Sequence, residues 1–295
     1  MGCEGKAIAE IGEMYDAGVV AISDGDEFVD SAALLRNVMR YSKMFDLPII
    51  THCEDRSLSG KGVMNEGYTA ACLGLSGMPR EAEEVQVARN ILLAEITGAK
   101  LHIAHISTAG SVSMIRDAKE RGIRLTCETC PHYFALTESA VENYNTLAKV
   151  NPPLRTTKDV TAVVEGIVDG TIDAIASGHS PVSLTEKKKE FDQAAYGISA
   201  LETAFSISYT YLVQNGKITL KRLAELMSKK PAEILNLTQK GEIAVGKDAD
   251  LIVIDTKESY LIEPQLFASK AKFSPFAGQE VRGRVVCTIV KGKIV

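Results

Sequence analysis

Short apolar segments that each stop at polar residues, separated by stretches with helical spacing, constrain this chain more than any other feature. "VVAIS" (19–23) ends at "DGDE", "LPIITHCED" (47–55) ends in His52 and two acids, and "KLHIAHIST" (100–108) carries His102 and His105. "RLTCETCPH" (124–132) and "IDAIASGHSP" (172–181) continue the series, and "KVNPPLR" (149–155) reads as a further short strand limited by its prolines to an edge or bend. Between them "EAEEVQVARNILLAEITG" sets Ala82, Val85, Ala88, Ile91 and Leu92 on one stripe before Gly98, and "SVSMIRDAKERG" closes at Gly122. Strands alternating with helices predict an α/β fold with a parallel sheet covered by helices.

A chain of 295 residues that is 45% hydrophobic can bury a sizeable core. Its net charge of -5 offers no general attraction to nucleic acid or to anionic membranes. The one basic run, Lys187 to Lys189, reads as a solvated loop. No apolar stretch reaches the roughly 20 residues needed to span a bilayer. The opening "MGCEGKAIAE" lacks a signal-peptide core, and Lys6 stands where a lipidation signal on Met1-Gly2 would need Ser or Thr. Six scattered cysteines do not make a disulfide scaffold, so a reducing, cytoplasmic setting is expected.

Asp24, His52, His105, Asn151 and His179 all fall at or just past the C-terminal ends of these segments. In a parallel α/β barrel that rim is where chemistry is built. Histidines and carboxylates converging from separate strands suit a divalent metal, which polarises a carbonyl and lowers the pKa of bound water to about 7. His52 and His105 are the first ligand candidates, with Asp24 as a third that could equally cap the turn at Gly25. His102, three residues before His105, points to the other face of a regular strand and reads as structural. His132 could reach a substrate or simply pack. Cys127 and Cys130 form a C-x-x-C inside a predicted strand with no second pair, so a zinc or redox role is disfavoured.

Taken in order, "THCED", "LHIAHISTAGS", "CPHY", "KVNPPLR", "GTIDAIASGHSP" and "YGISALETAF" resemble bacterial dihydroorotases of the amidohydrolase superfamily. The tail segments "KKPAEILNL", "KGEIAVGKDADLIVID" and "KFSPFAGQEVRGRVVCTIVKGKIV" support the resemblance from Gly5 to Val295. It implies a zinc-dependent hydrolase that interconverts carbamoyl aspartate and dihydroorotate in pyrimidine biosynthesis. By the same resemblance His52 and His105 match metal ligands, and Asp24 falls near a metal-bridging carboxylate. Asn151 matches a substrate-binding asparagine, and Ala195-Tyr196-Gly197 matches a loop whose backbone contacts substrate.

The departures from that pattern shape the expectation. There is no His-x-His pair anywhere, and Met1 falls where the family approaches its third barrel strand. The family's Asp-His-Ala-Pro-His is here Gly178-His179-Ser180-Pro181-Val182, so the metal-binding, proton-accepting Asp is Gly178 and the second His is Val182. The sequence therefore predicts an incomplete (β/α)8 barrel with about six of eight parallel strands over residues 1–236, and a small C-terminal β segment over 237–295. It predicts no catalytic residue of its own and at most one weakly held zinc. Three functions follow: a dihydroorotase-like hydrolase with deficient catalysis, an inactive paralogue serving as a structural or regulatory subunit, or another cyclic-amide hydrolase such as a hydantoinase or allantoinase. A barrel short of strands exposes edges, so a homo-oligomer, or a heteromer with another pyrimidine-pathway enzyme, is expected.

Overall fold

The computed structural model describes residues 4–25 and 28–295; Met1-Gly2 and the "DE" of "DGDE" lie outside them. The architecture is α/β. Five strands form a parallel sheet: β1 (Ile22–Ser23), β2 (Ile49–Thr51), β3 (Leu101–Ile103), β4 (Leu125–Thr129) and β5 (Ala174–Ile175). They lie side by side in sequence order, with β1 and β5 at the two edges. Parallel neighbours need crossovers, and four helices supply them: α1 (Ala32–Lys43), α2 (Glu81–Thr97), α3 (Ala109–Glu120) and α4 (Thr157–Asp169). This is part of a TIM-type barrel wall.

Register lines up the apolar residues of the sheet. Ile22 pairs with Ile49, Ile49 with Leu101, and Leu101 with Leu125, so one apolar row crosses four strands. Ile91 and Ala94 of α2, Val112 and Ile115 of α3, and Val163 and Ile167 of α4 join strands β2 to β5 in one buried cluster, while Ile22 of β1 packs in a separate one with Ile11 and Leu47. Local chemistry sets the helix boundaries. Thr108 accepts a hydrogen bond from the Ser111 N–H at the start of α3, and Thr156 and Asp159 form a reciprocal capping box on α4. Gly98 and Gly170 take the left-handed conformation that ends α2 and α4.

Two sequence expectations are corrected. "KVNPPLR" forms no strand, so the main parallel sheet has five strands instead of about six. Its Asn151–Pro152 peptide is cis, and Val150 and Leu154 anchor an irregular segment in a second buried cluster with Phe191 and Phe276. Proline removes the ladder donor, so the segment takes its order from packing and side-chain bonds. On α2, Val85 and Leu92 are exposed, whereas Glu83, Gln86 and Asn90 are buried. Those polar groups find partners that periodicity cannot show: Glu83 accepts from the Ser107 and Thr108 N–H groups, and Gln86 donates to Asp55.

The C-terminal strands β6 (Leu251–Leu261), β7 (Glu280–Val290) and β8 (Lys293–Ile294) form a separate antiparallel sheet, in the order β8-β7-β6.

Candidate functional site

The site lies where β2, β3 and β4 end. Each short strand fixes its last residues by sheet bonds, so the side chains that follow start from defined positions. His52 follows β2 directly and His105 lies two residues past β3. The backbone of His105 has a φ of 37°, a conformation rare outside glycine, and this turns its ring back toward His52. His52 Nδ1 and His105 Nε2 are 3.2 Å apart. The second nitrogen of His52, Nε2, lies 3.0 Å from Glu54 Oε2. The same carboxylate oxygen accepts from the Asn151 amide at 2.7 Å, and Glu54 Oε1 accepts from Ser59 Oγ at 2.6 Å. A single chain of contacts therefore joins His105, His52, Glu54 and Asn151.

Electrostatics follow from this wiring. Burial alone would raise the Glu54 pKa, yet the bonds from His52, Asn151 and Ser59 pull it down to about 2. Glu54 is thus a fixed anion. Burial, reinforced by the charge of His52, pushes His105 down to about 3 and keeps its ring neutral. A neutral His105 that donates from Nε2 leaves Nδ1 as a buried acceptor, and that atom has no partner. Asp24 sits apart from the rings: its carboxylate accepts the His52 backbone N–H at 2.9 Å, and burial raises its pKa to about 7 against that bond.

The loop after β5 carries no acid. Gly178 has a φ of 62°, and a Cβ there would lie 2.6 Å from His132 Cε1 and 2.9 Å from Cys130 Sγ. His132 and Cys130 are both buried and pack against this glycine. His132 is held neutral by burial, near 3, and burial pushes the Cys127 thiol up to about 12 and the Cys130 thiol well above its ordinary value. Neither thiol is a nucleophile at neutral pH. His179 accepts the Ala200 and Leu201 N–H groups on Nδ1, which fixes the next loop. His102 bonds Thr126 and faces Glu128 across the sheet, away from the two ring nitrogens that meet.

The Ala195-Tyr196-Gly197 turn is docked on the segment that carries Asn151. The Gly197 N–H donates to the Lys149 carbonyl at 3.0 Å, and Tyr196 Oη donates to the Gly62 carbonyl at 2.9 Å. Gly197 is required on steric grounds: its φ is 127°, and a Cβ would fall 2.2 Å from the Ser180 carbonyl oxygen. Sequence reasoning missed Glu54 as the hub, because an acid beside a histidine carries no mark of its partner. It also misread Lys187, which is fully buried instead of solvated; "KKK" reports charge, not neighbours.

The imidazole pair tests whether a metal fits. Two ligand nitrogens about 2.0–2.1 Å from a tetrahedral zinc stand about as far apart as His52 Nδ1 and His105 Nε2 do here. The Glu54 carboxylate behind His52 is the kind of outer partner that orients a ligating imidazole. A structural or catalytic zinc needs at least three protein donors. Among the described residues no group of three or more His, Cys, Asp or Glu side chains converges to hold a metal. Among the described residues the pair would supply two corners of a site and no more.

A family model described as "Amidohydrolase family" matches residues 5–295. The chain belongs to the amidohydrolase family. Two curated relatives of this amidohydrolase are named dihydroorotase. One, from Thermoanaerobacter sp. (strain X514), is 52% identical over 293 residues, which is 99% of this chain and 68% of the relative. The other, from Acetivibrio thermocellus, is 49% identical over 294 residues, covering 100% of this chain and 69% of the relative. Among solved structures, the L-hydantoinase (dihydropyrimidinase) of Arthrobacter aurescens superposes with a TM-score of 0.87 at 29% identity, over 97% of this chain and 66% of its own. The amidohydrolase thus spans about two thirds of the length of the proteins it matches. Among the described residues no helix is long and apolar enough to cross a membrane.

Proposed function

We propose that this chain is a dihydroorotase-like cyclic amidohydrolase that recognises dihydroorotate or carbamoyl aspartate but is deficient in opening and closing the ring. Identity near one half to proteins named dihydroorotase supports the substrate class, and the lower identity to a hydantoinase supports cyclic amides more broadly. Asn151 and the Ala195–Gly197 turn form the substrate side of the site in this reading, with His52, His105 and Asp24 on the metal side, holding at most one weakly bound zinc.

One observation carries the deficiency. The loop after β5 presents Gly178, closely packed on His132 and Cys130, so no side chain stands there to accept a proton from attacking water. Loss of a general base costs about 10²- to 10⁴-fold in rate, and the two-corner metal pair adds to that. The free cysteines fit a reducing, cytoplasmic setting. A second reading, a subunit that supports a partner enzyme of the pyrimidine pathway, is favoured by the outer sides of β1 and β5, which have no strand partner among the described residues.

The test is a ring-opening assay with dihydroorotate on the zinc-supplemented chain, paired with calorimetric binding of the same compound. Binding without turnover is expected. Turnover abolished by His105→Ala would overturn the deficiency, and absence of binding would overturn the substrate assignment.

A further inference from the structure

Lys149 and Lys187 are the two largest fully buried side chains in the described molecule, with 2% and 0% of their surface exposed. Each ammonium donates twice, and only to main-chain carbonyls. Lys149 Nζ reaches Phe191 O at 2.6 Å and Asp192 O at 3.1 Å. Lys187 Nζ reaches back to Thr146 O at 3.0 Å and Lys149 O at 2.9 Å. The two side chains therefore cross: each leaves one segment and ties down the other. Thr146 Oγ1 adds a bond to the Lys187 carbonyl. The Lys149 ammonium also lies 4.6 Å from the centre of the Tyr196 ring, and that of Lys187 lies 5.6 Å from the Phe273 ring.

Among the described residues neither ammonium has a bonded carboxylate partner. Burying a cation in this way costs stability relative to a well-packed apolar side chain, so cohesion alone does not account for two lysines here. Their bonds specify backbone position. The Lys149 carbonyl is the junction, since it accepts both from Lys187 Nζ and from the Gly197 N–H. Two residues further on is Asn151, which bonds Glu54. We infer that Lys149 and Lys187 form a crossed clamp that positions the 184–198 segment, and with it the Tyr196–Gly197 turn, against Asn151. They are positioning residues; neither touches the reacting groups. Calling the clamped turn part of a substrate site rests on the function proposed above, whereas the clamp itself does not.

Hydrogen exchange resolved by mass spectrometry tests the clamp without any ligand. Met is unbranched like Lys, one atom shorter, and lacks its donors, while Arg keeps a cation and several donors. In Lys149→Met and Lys187→Met, amides of 184–198 should exchange about tenfold to a hundredfold faster, the loss of two hydrogen bonds from a charged donor being partly offset by relief of the buried charge. Amides of Ile49–Thr51 and Leu101–Ile103 should be unchanged. Lys149→Arg should recover most of the protection. Dihydroorotate, used as the probe, should bind the Met variants more weakly by a similar factor. If the wild-type chain fails to bind dihydroorotate, the substrate reading falls and the exchange data still decide the clamp.

The wild-type chain supplies a second measurement should a variant not fold. Under reductive methylation Lys188 and Lys189 should react, while Lys149 and Lys187 resist and become reactive together with opening of 184–198 in mild denaturant. Unchanged protection in the Met variants, equal loss in the core strands, or methylation of Lys187 as fast as Lys189 would each overturn the proposal.

Discussion

His52 Nδ1 and His105 Nε2 face each other at 3.2 Å across the ends of two neighbouring strands. The spacing arises from the β2–β3 register, which pairs Thr51 with Ile103, and from the positive φ of His105. In the proposed metal site these two imidazoles, drawn from a parallel strand pair, would be the nucleus, and Glu54 holds one of them from behind.

This nucleus sets the expectation for metal. Chain purified without chelator should hold at most one zinc ion and lose it on dialysis against a mild competitor. His52→Ala or His105→Ala should abolish retention, since either leaves a single imidazole. Elemental analysis showing two tightly held zinc ions per chain would refute the two-corner description.

Replacing Gly178 with Asp should not restore a catalytic acid. The residue occupies left-handed backbone, and a Cβ there meets His132 Cε1 at 2.6 Å. Strained backbone and overpacking each cost on the order of 1–3 kcal/mol. Gly178→Asp should therefore lower stability by roughly 2–6 kcal/mol, and Gly178→Ala by somewhat less, both read from denaturant midpoints. Ring-opening activity should stay at background. Recovery of turnover in Gly178→Asp at wild-type stability would show that the loop moves aside at little cost.

Stability should depend on pH through the buried lysines. Burial lowers Lys187 to about 8, reinforced by the nearby charge of Lys149, and burial lowers Lys149 to about 8 against the attraction of Asp192. The ordinary value, 10.5, applies to the unfolded chain. Below about pH 8 both states are protonated and the full burial cost is present. Between 8 and 10.5 the unfolded chain holds more protons, so the contribution to stability rises with pH. A neutral amine keeps two N–H groups, matching the two carbonyls that each lysine meets, so the clamp survives deprotonation. The stability difference between wild type and Lys187→Met should shift toward wild type across that window, by at most about 1.4 kcal/mol per pH unit. A flat difference from pH 7.5 to 10.5 would contradict it.

How much of this was legible before folding depends on whether the signal was local. The ends of β2 and β3 were readable, because apolar alternation locates a strand and a barrel puts chemistry at its C-terminal end. His52 and His105 were found that way, and Gly178 was marked by the absence of an expected acid. The meeting of the two rings depends on register and on one backbone angle, which the sequence does not display. "KVNPPLR" looked like a strand because Val150 and Leu154 are apolar; they are buried by a loop with a cis proline. Val85 and Leu92 matched a helical stripe, yet α2 turns Glu83 and Asn90 inward, since buried polar groups with partners cost little. Lys187 shows the same limit from the opposite side. A charge run tells what the side chains are, and only the fold tells which carbonyls surround them.

The sheet edges favour assembly. Among the described residues β1 pairs only with β2, and β5 only with β4, so each leaves one side of its backbone without a strand partner. Backbone groups buried unpaired would cost about 1–3 kcal/mol each, so water or another chain must satisfy them. The C-terminal sheet adds a second driving force: Ile252, Val286 and Ile294 are 48%, 54% and 77% exposed on β6, β7 and β8. Covering such apolar surface gains about 25 cal/mol per Å². Both terms favour association, through a second copy or a different partner. Sedimentation velocity over a wide concentration range should show a species larger than 31.8 kDa that dissociates on dilution. Replacing Ile252 and Val286 by Lys should weaken the assembly while leaving the parallel sheet intact, because both side chains are outside the buried clusters. A single monomer at every concentration, with one cooperative high-temperature transition, would show that these edges and this face are stable in water.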